Sequence, residues 1–237
     1  MYKTKILMLV LASTLFIGCG DDDNTTVGAP IPSVNHDGLW YYETISPYTG
    51  RIWLDRNMGA SEKCELSGAT PACYGDYYQW GRTNDGHHLS TSTTSATAET
   101  AISGTSANFI ITWQDWSDVD ADGTLRSSSL NSVSSNPICP TGYVVPTIAE
   151  LKAETIGASN LYILDNLISF LALPAAGYRI IADGNITDQE VAGAYWSQDQ
   201  NATGRQSHAL FFTASSFVAP YVLDRAYGFP VRCIKPQ

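Results

Sequence analysis

Four cysteines in an exported chain constrain this fold more than any other feature, and a fifth accompanies the export signal. The first eighteen residues, MYKTKILMLVLASTLFIG, set Lys3 and Lys5 ahead of an apolar run from Ile6 to Ile17. A basic start followed by a short apolar stretch is the pattern of a secretory signal peptide. It falls short of the roughly 20 residues that a transmembrane helix needs. The stretch ends LFIGC, with Gly18 before Cys19, and resembles a bacterial lipobox in which Phe16 stands where Leu is usual. Lipid on Cys19 would anchor the mature chain essentially permanently, because several acyl chains act together. The polar GDDDNTTVGAP that follows suits a flexible acidic tether, assigned to residues 19–37. Ordinary signal cleavage nearby, leaving a soluble protein with a spare cysteine, is the competing reading. An acidic run directly after the lipid cysteine resembles the export signal of some Gram-negative lineages. The expected location is therefore the outer membrane, with display at the cell surface.

Export makes disulfides available to Cys64, Cys73, Cys139 and Cys233. Four cysteines allow three pairings. Cys64 and Cys73 bracket the turn-rich ELSGATPA, which favours a local bond and leaves Cys139 with Cys233. Closing the longer loop should stabilise by roughly 4–5 kcal/mol, against about 2.5–3 kcal/mol for the shorter. Zinc is the rival use, but no two of these cysteines form a C-x-x-C pair. The 219 residues from Cys19 to Gln237 suffice for one large domain, expected over 38–237. Removing Lys3 and Lys5 leaves 11 basic against 23 acidic residues, a formal charge of −12. Such a surface repels nucleic acid and anionic lipid headgroups, which excludes both as partners.

Along the domain, GLWYYETISP and GRIWLDRNMG read as two strands of an opening hairpin joined around YTG, rich in aromatic and β-branched residues. GDYYQWGR reads as one or two helical turns that tuck tyrosine and Trp80 into a core. Leu89 to Asn108 is low in complexity, rich in Ser, Thr and Ala, and reads as a long surface loop. Thr147 after Pro146, with Glu150 three residues on, is a capping box that starts a helix over 148–155. NLYILDNLISFL is a weaker helix pattern. Five partly alternating runs then follow, LPAAGYRII, GAYWSQD, SHALFFTAS, FVAPYVLD and GFPVRCIK. Short turns separate them, so antiparallel pairing is expected.

The sharpest chemical motif is DVDADGTLRSSS. Asp118, Asp120 and Asp122 at alternate positions, then Gly123 and the carbonyl of Thr124, copy the first half of a calcium-binding loop. Position 12 falls on Ser129 where a bidentate Glu is expected, and no flanking helices are evident; Asp115 is the substitute carboxylate. The alternative is a polar turn in which the Asp side chains bond their own backbone and Arg126 neutralises them. His87 and His88 are adjacent, and neighbours seldom converge on one metal, so no histidine metal centre is expected. A nucleophile elbow, a phosphate-cradling glycine loop and H-E-x-x-H are all missing from the sequence. A carboxylate pair for glycoside hydrolysis stays open, because any two acids can meet in space.

TGRIWLDRNMGA, CYGDYYQWGRTNDGH, DWSDVDADGTLR, CPTGYVVPTIAEL, LPAAGYR, GAYWS and YGFPVRC occur in the order found in the Fibrobacter succinogenes major paralogous domain. The chain resembles that family from about Gly38 to Lys235. The resemblance implies an α+β, C-type lectin-like fold: a twisted, mainly antiparallel sheet, two short flanking helices and a long irregular loop region. It implies that YGDYYQWGR is a packing motif on the first helix, with Arg82 paired to a nearby acid. Lectins of the wider superfamily that hold sugar through calcium use Glu-Pro-Asn or Gln-Pro-Asp with Trp-Asn-Asp. Neither set is present; LPA at 173–175 and APY at 219–221 lack the flanking carboxylate or amide. A calcium-independent site on aromatic faces would use Tyr195, Trp196 and Tyr221, although such residues more often fill a core than line a cleft. A formylglycine-generating branch of the superfamily needs a reactive cysteine pair, which a Cys139–Cys233 disulfide would remove. The resulting expectation is a non-catalytic binding or adhesion module for glycan or protein. An enzyme of unknown reaction and a structural envelope protein are the alternatives.

Overall fold

A computed structural model of the chain describes residues 34–65, 69–156, 170–201 and 203–237. The leader, Cys19 and most of the tether lie outside the described residues, as does most of the weaker helix pattern at 160–171. Strands β1 (Val34–His36) and β2 (Leu39–Tyr41) pair antiparallel across Asp37 and Gly38, whose φ angles are 50° and 82°. Two positive φ values are what a tight two-residue hairpin demands, and Asp-Gly supplies them. The opening hairpin expected from the sequence follows. In it β3 (Glu43–Ile45) pairs with β4 (Ile52–Leu54), placing Thr44 opposite the fully buried Trp53.

GDYYQWGR is not helical. Helix α1 (Pro71–Tyr74) stops before it, and Tyr78–Gln79 form a short strand, β5. Gly75 ends the helix at φ 78°, where an added Cβ would lie 2.5 Å from the Met58 carbonyl oxygen. Close backbone approach, and not side-chain periodicity, decides this segment. Its role in packing holds: Tyr77, Tyr78 and Trp80 are buried, and Trp80 Nε1 donates to the Ser197 carbonyl at 2.8 Å. Arg82 pairs with Asp85 at 3.0 Å.

The Ser/Thr-rich segment contributes only β6 (Thr94–Ser95), paired parallel with β7 (Phe109–Ile110). Helix α2 (Thr124–Leu130) was not legible in the sequence; it opens after Gly123, which is left-handed at φ 78°. Helix α3 (Ile148–Ile156) begins where the capping box places it. Glu150 N–H donates to Thr147 Oγ1 at 3.1 Å, and Thr147 N–H donates to Glu150 Oε2 at 2.8 Å.

The five C-terminal runs form β8 (Ala176–Arg179), β10 (Ala192–Gln200), β11 (Gln206–Thr213), β12 (Phe217–Asp224) and β13 (Gly228–Phe229), and a further strand that the runs do not include, β9 (Ile186–Gln189), follows β8. The sheet runs β12-β11-β10-β8-β13-β5, with β9 on β8. Every pairing is antiparallel except β10 with β8, at Gly193 opposite Gly177. This is an α+β fold with a mainly antiparallel sheet. Disulfides join Cys64 to Cys73 and Cys139 to Cys233, with Cα separations of 5.1 and 5.9 Å. The second sits in the main core beside Trp80, Trp196 and Phe229. Pro32 to Gln237 makes one compact unit.

Arginine has an unusual place in this interior. Of the eight arginines in the chain, Arg56, Arg82, Arg126, Arg179, Arg225 and Arg232 are buried. Guanidinium carries five N–H donors in a rigid fork, so one side chain can satisfy several carbonyls of irregular backbone. The long loops are held this way.

Candidate functional site

A groove of about 510 Å³ opens between the Ser/Thr segment at 90–94 and the β8–β9 turn at 183–186, with Arg179 in its wall. Arg179 ends β8 and is 2% exposed. Its Nη1 donates to the carbonyls of His87 (3.2 Å) and Leu89 (3.0 Å) and to Ser92 Oγ, its Nη2 to the Ser92 carbonyl (2.7 Å), and its Nε to the Gly184 carbonyl (2.6 Å). Its guanidinium lies 4.2 Å over the Phe109 ring. All of these partners are neutral. Burial alone pulls Arg179 down to about 10, which leaves it charged at neutral pH. Gly184, at φ 77°, lets the turn close against the loop, since a Cβ there would meet Thr94 Cγ2 at 2.4 Å. On the rim, Asp183 accepts from Asn185 N–H at 2.9 Å and from Asn185 Nδ2 at 2.7 Å. Both side chains are exposed.

The aspartate motif is arranged differently. Asp120 Oδ1 accepts from Leu125 N–H (2.9 Å), and Oδ2 accepts from Arg126 N–H (3.0 Å) and Arg126 Nε (3.0 Å). Asp122 accepts from Thr124 N–H at 3.2 Å, so the aspartates cap helix α2, which Thr124 opens. Asp118 turns outward, 3.6 Å from Arg205 Nη1. Asp115, fully buried, takes a bidentate fork from Arg126 (2.7 Å twice) and a further bond from Arg225 Nη1 at 3.2 Å. Arg225 also donates to the carbonyls of Asp120, Ala121 and Asp122. Arg126 stacks over Trp80 and Trp116 at 5.5 and 5.1 Å. Asp115 therefore faces two guanidiniums, and the backbone of the loop is occupied by Arg225.

Asp85, His87 and His88 do come together, with one potential ligand atom from each lying within 4.8 Å of the others. His87 is already committed at both nitrogens. Nε2 accepts from Gln79 N–H at 3.1 Å, which leaves the proton on Nδ1 to meet Asp85 Oδ1 at 2.6 Å. Arg82 Nε, 3.0 Å from Asp85, adds a fixed positive charge that opposes a cation. The cluster is a hydrogen-bonded post at the start of the loop. Burial lowers His87 to about 4, so the ring is neutral. Burial pushes the Asp85 carboxyl up, but bonds from His87 and Thr105 outweigh it and hold Asp85 well below the usual range. Next to it, His88 stacks on Tyr78 at 5.1 Å, and its Nε2 lies 3.8 Å from Asp76 Oδ2. Burial, then the charge of Asp37, raises Asp76 to about 7.

The aromatic candidates are corrected by burial. Tyr195 and Trp196 are 0% and 1% exposed. Tyr195 OH donates to the Pro174 carbonyl, and Trp196 Nε1 donates to the Tyr78 carbonyl. Neither offers a face to a ligand, because β10 is the inner strand on which both sides of the sheet pack. Tyr221 is half-buried, with its ring 4.8 Å from Phe211. The exposed tryptophans are Trp40 and Trp113, at 53% and 85%. Sequence reasoning missed Arg179, Asp183 and Asn185. The available signals were an arginine ending an apolar strand run and a D-G-N turn after it. No protein-family model matches the chain, and neither a curated protein nor a solved structure shows significant similarity to it.

Proposed function

We propose that the protein is a non-catalytic binding module for glycan or protein, held at the outer membrane by lipid on Cys19 and displayed on the cell surface. The scaffold is read as C-type lectin-like, of the Fibrobacter succinogenes major paralogous kind. The order of the quoted motifs, the mainly antiparallel sheet with α3 beside it, and the Cys139–Cys233 clasp support that reading. The observation that carries the binding role is the polar groove, whose wall is fastened in advance by Arg179. A rigid frame presenting an irregular loop loses little conformational entropy on binding. The groove brings together no nucleophile with a base, its ionisable pair being Arg179 and Asp183. Membrane attachment is tested by fatty-acid labelling of cells carrying wild type or Cys19→Ala, where equal labelling removes the anchor from the proposal. Binding is tested with the full-length protein in detergent, on a glycan array and in a cell-surface pull-down, each with and without calcium. Saturable capture supports the module, and silence in both together with turnover in a hydrolase panel replaces it by an enzyme.

A further inference from the structure

We propose that the groove between 90–94 and 183–186 is a calcium-independent site for a neutral saccharide, with Asp183 and Asn185 as its principal sugar-hydroxyl partners. This rests on the binding-module reading and adds the ligand class and the place. Size is the first argument: about 510 Å³ falls within the range of small-ligand clefts and holds one or two pyranose rings.

The second is lining chemistry. Five consecutive hydroxyl residues, 90–94, form one wall, and the opposite wall ends in a carboxylate beside an amide. Asp183 and Asn185 already hold each other at 2.7 Å, which fixes an acceptor and a donor side by side. Each carboxylate oxygen keeps a second lone pair, and Asn185 keeps a second amide hydrogen and its carbonyl oxygen. A pair of vicinal hydroxyls, each both donor and acceptor, matches that array; an apolar ligand does not.

Charge gives the third argument. Arg179 and Asp183 cancel within the groove, and the chain carries a formal charge of −10. Nε and both Nη1 hydrogens of Arg179 are taken by Gly184, His87, Leu89 and Ser92, and one Nη2 hydrogen by the Ser92 carbonyl, so at most a single guanidinium hydrogen is open to a ligand and no bidentate fork is left for an anion. The wall is also preformed without a metal, because Arg179 fastens Leu89 and Ser92. The lining residues include no aromatic ring. Without stacking, each site is expected to bind only at about the millimolar to high-micromolar level, so detection needs multivalent display.

The test uses full-length protein in detergent, clustered on beads, against an array of neutral, sialylated, uronate-bearing and sulfated oligosaccharides, in EDTA and again in calcium. Wild type is compared with the double variant Asp183→Ala, Asn185→Ala, both exposed, and with Thr100→Ala, exposed on the same segment outside the groove. The expected result is retention of neutral glycans in EDTA, at least about tenfold weaker in the double variant and unchanged in Thr100→Ala. Neutral binding that survives the double variant moves the site elsewhere and overturns this inference while the module stands. Preference for acidic glycans, or binding only in calcium, overturns the ligand class. No glycan retention with capture of surface proteins overturns the inference alone, and silence in both arms overturns the module as well.

Discussion

The loop around Asp115 and the loop over Arg179 are both irregular, and both are pinned by buried guanidiniums, but only the first contains its own counter-ions. Arg126 and Arg225 converge on Asp115, and Arg126 takes Asp120 as well. Arg179 meets carbonyls and one hydroxyl, with no carboxylate among its hydrogen-bond partners. A paired cation neutralises its surroundings and closes the backbone on itself, leaving nothing to offer a ligand. An unpaired one fixes a loop while the rim keeps its spare donors and acceptors. The difference separates a loop built for stability from a loop built for presentation.

Removing Asp115 should break the first region most severely. Asp115→Ala leaves two guanidiniums buried without their shared carboxylate, and loss of one partner from a buried ion pair costs about 3–5 kcal/mol. Urea unfolding followed by tryptophan fluorescence reads this directly, since Trp80 and Trp116 lie against these arginines. A loss below about 1 kcal/mol would mean that water replaces the carboxylate and that the region is less closed than described.

Arg179→Met should cost less, about 1–3 kcal/mol, because it strands neutral carbonyls near a solvated groove and leaves no buried charge. Its signature is local: amide exchange should accelerate across 87–94 and stay unchanged across α2. Acceleration spread evenly over both loops would erase the contrast.

This contrast was only half legible in the sequence. The capping box at Thr147 and Glu150, the hairpin around YTG, the five strand runs and the disulfides all depend on local spacing or on simple pairing, and they appear where expected. GDYYQWGR carries a helix-like aromatic spacing but is not helical, because Gly75 and Gly81 sit against Met58 and Arg126, contacts that no local pattern reports. Tyr195 and Trp196 could be weighed as ligands only because depth within a sheet is set by strand order, and β10 was not known to be interior. The groove was invisible for a related reason: Arg179 and Ser92 are 87 residues apart. Composition showed few basic residues but not that most arginines point inward.

Acid titration sharpens the comparison on the groove side, where the His87 carbonyl is one of the Arg179 acceptors. His87 titrates at about 4 in the fold, below its ordinary 6.5, so folding releases its proton and stability falls as pH drops from about 6.5 to 4. Asp76 titrates at about 7, above its ordinary 3.8, so folding takes up its proton and stability rises as pH drops from about 7 to 4. The two oppose each other over most of that window. Asp76→Asn should therefore steepen the acid loss of melting temperature between pH 6.5 and 4, and should raise stability relative to wild type above pH 7. Parallel melting profiles for the two proteins would show that Asp76 titrates at its ordinary value, and a wild-type-like absence of acid loss in Asp76→Asn would show the same of His87.

The smallest expected effect is calcium. The alternation of Asp118, Asp120 and Asp122 suits a hard cation, but binding would require Asp120 to release the Leu125 and Arg126 amides. The ion would also have to sit beside the Arg126 and Arg225 guanidiniums. Linkage sets the scale: a site with a dissociation constant near 1 mM contributes only about 0.4 kcal/mol at 1 mM calcium. For a domain of this size that is about 1–2 °C. The competition from both arginines places the expected shift below about 1 °C, the same in Asp118→Asn and Asp122→Asn, whose exposed carboxylates can be changed without touching Asp120. A rise of more than about 3 °C in wild type, lost in both variants, would make the aspartate loop a ligand site and reverse the assignment of roles between the two loops.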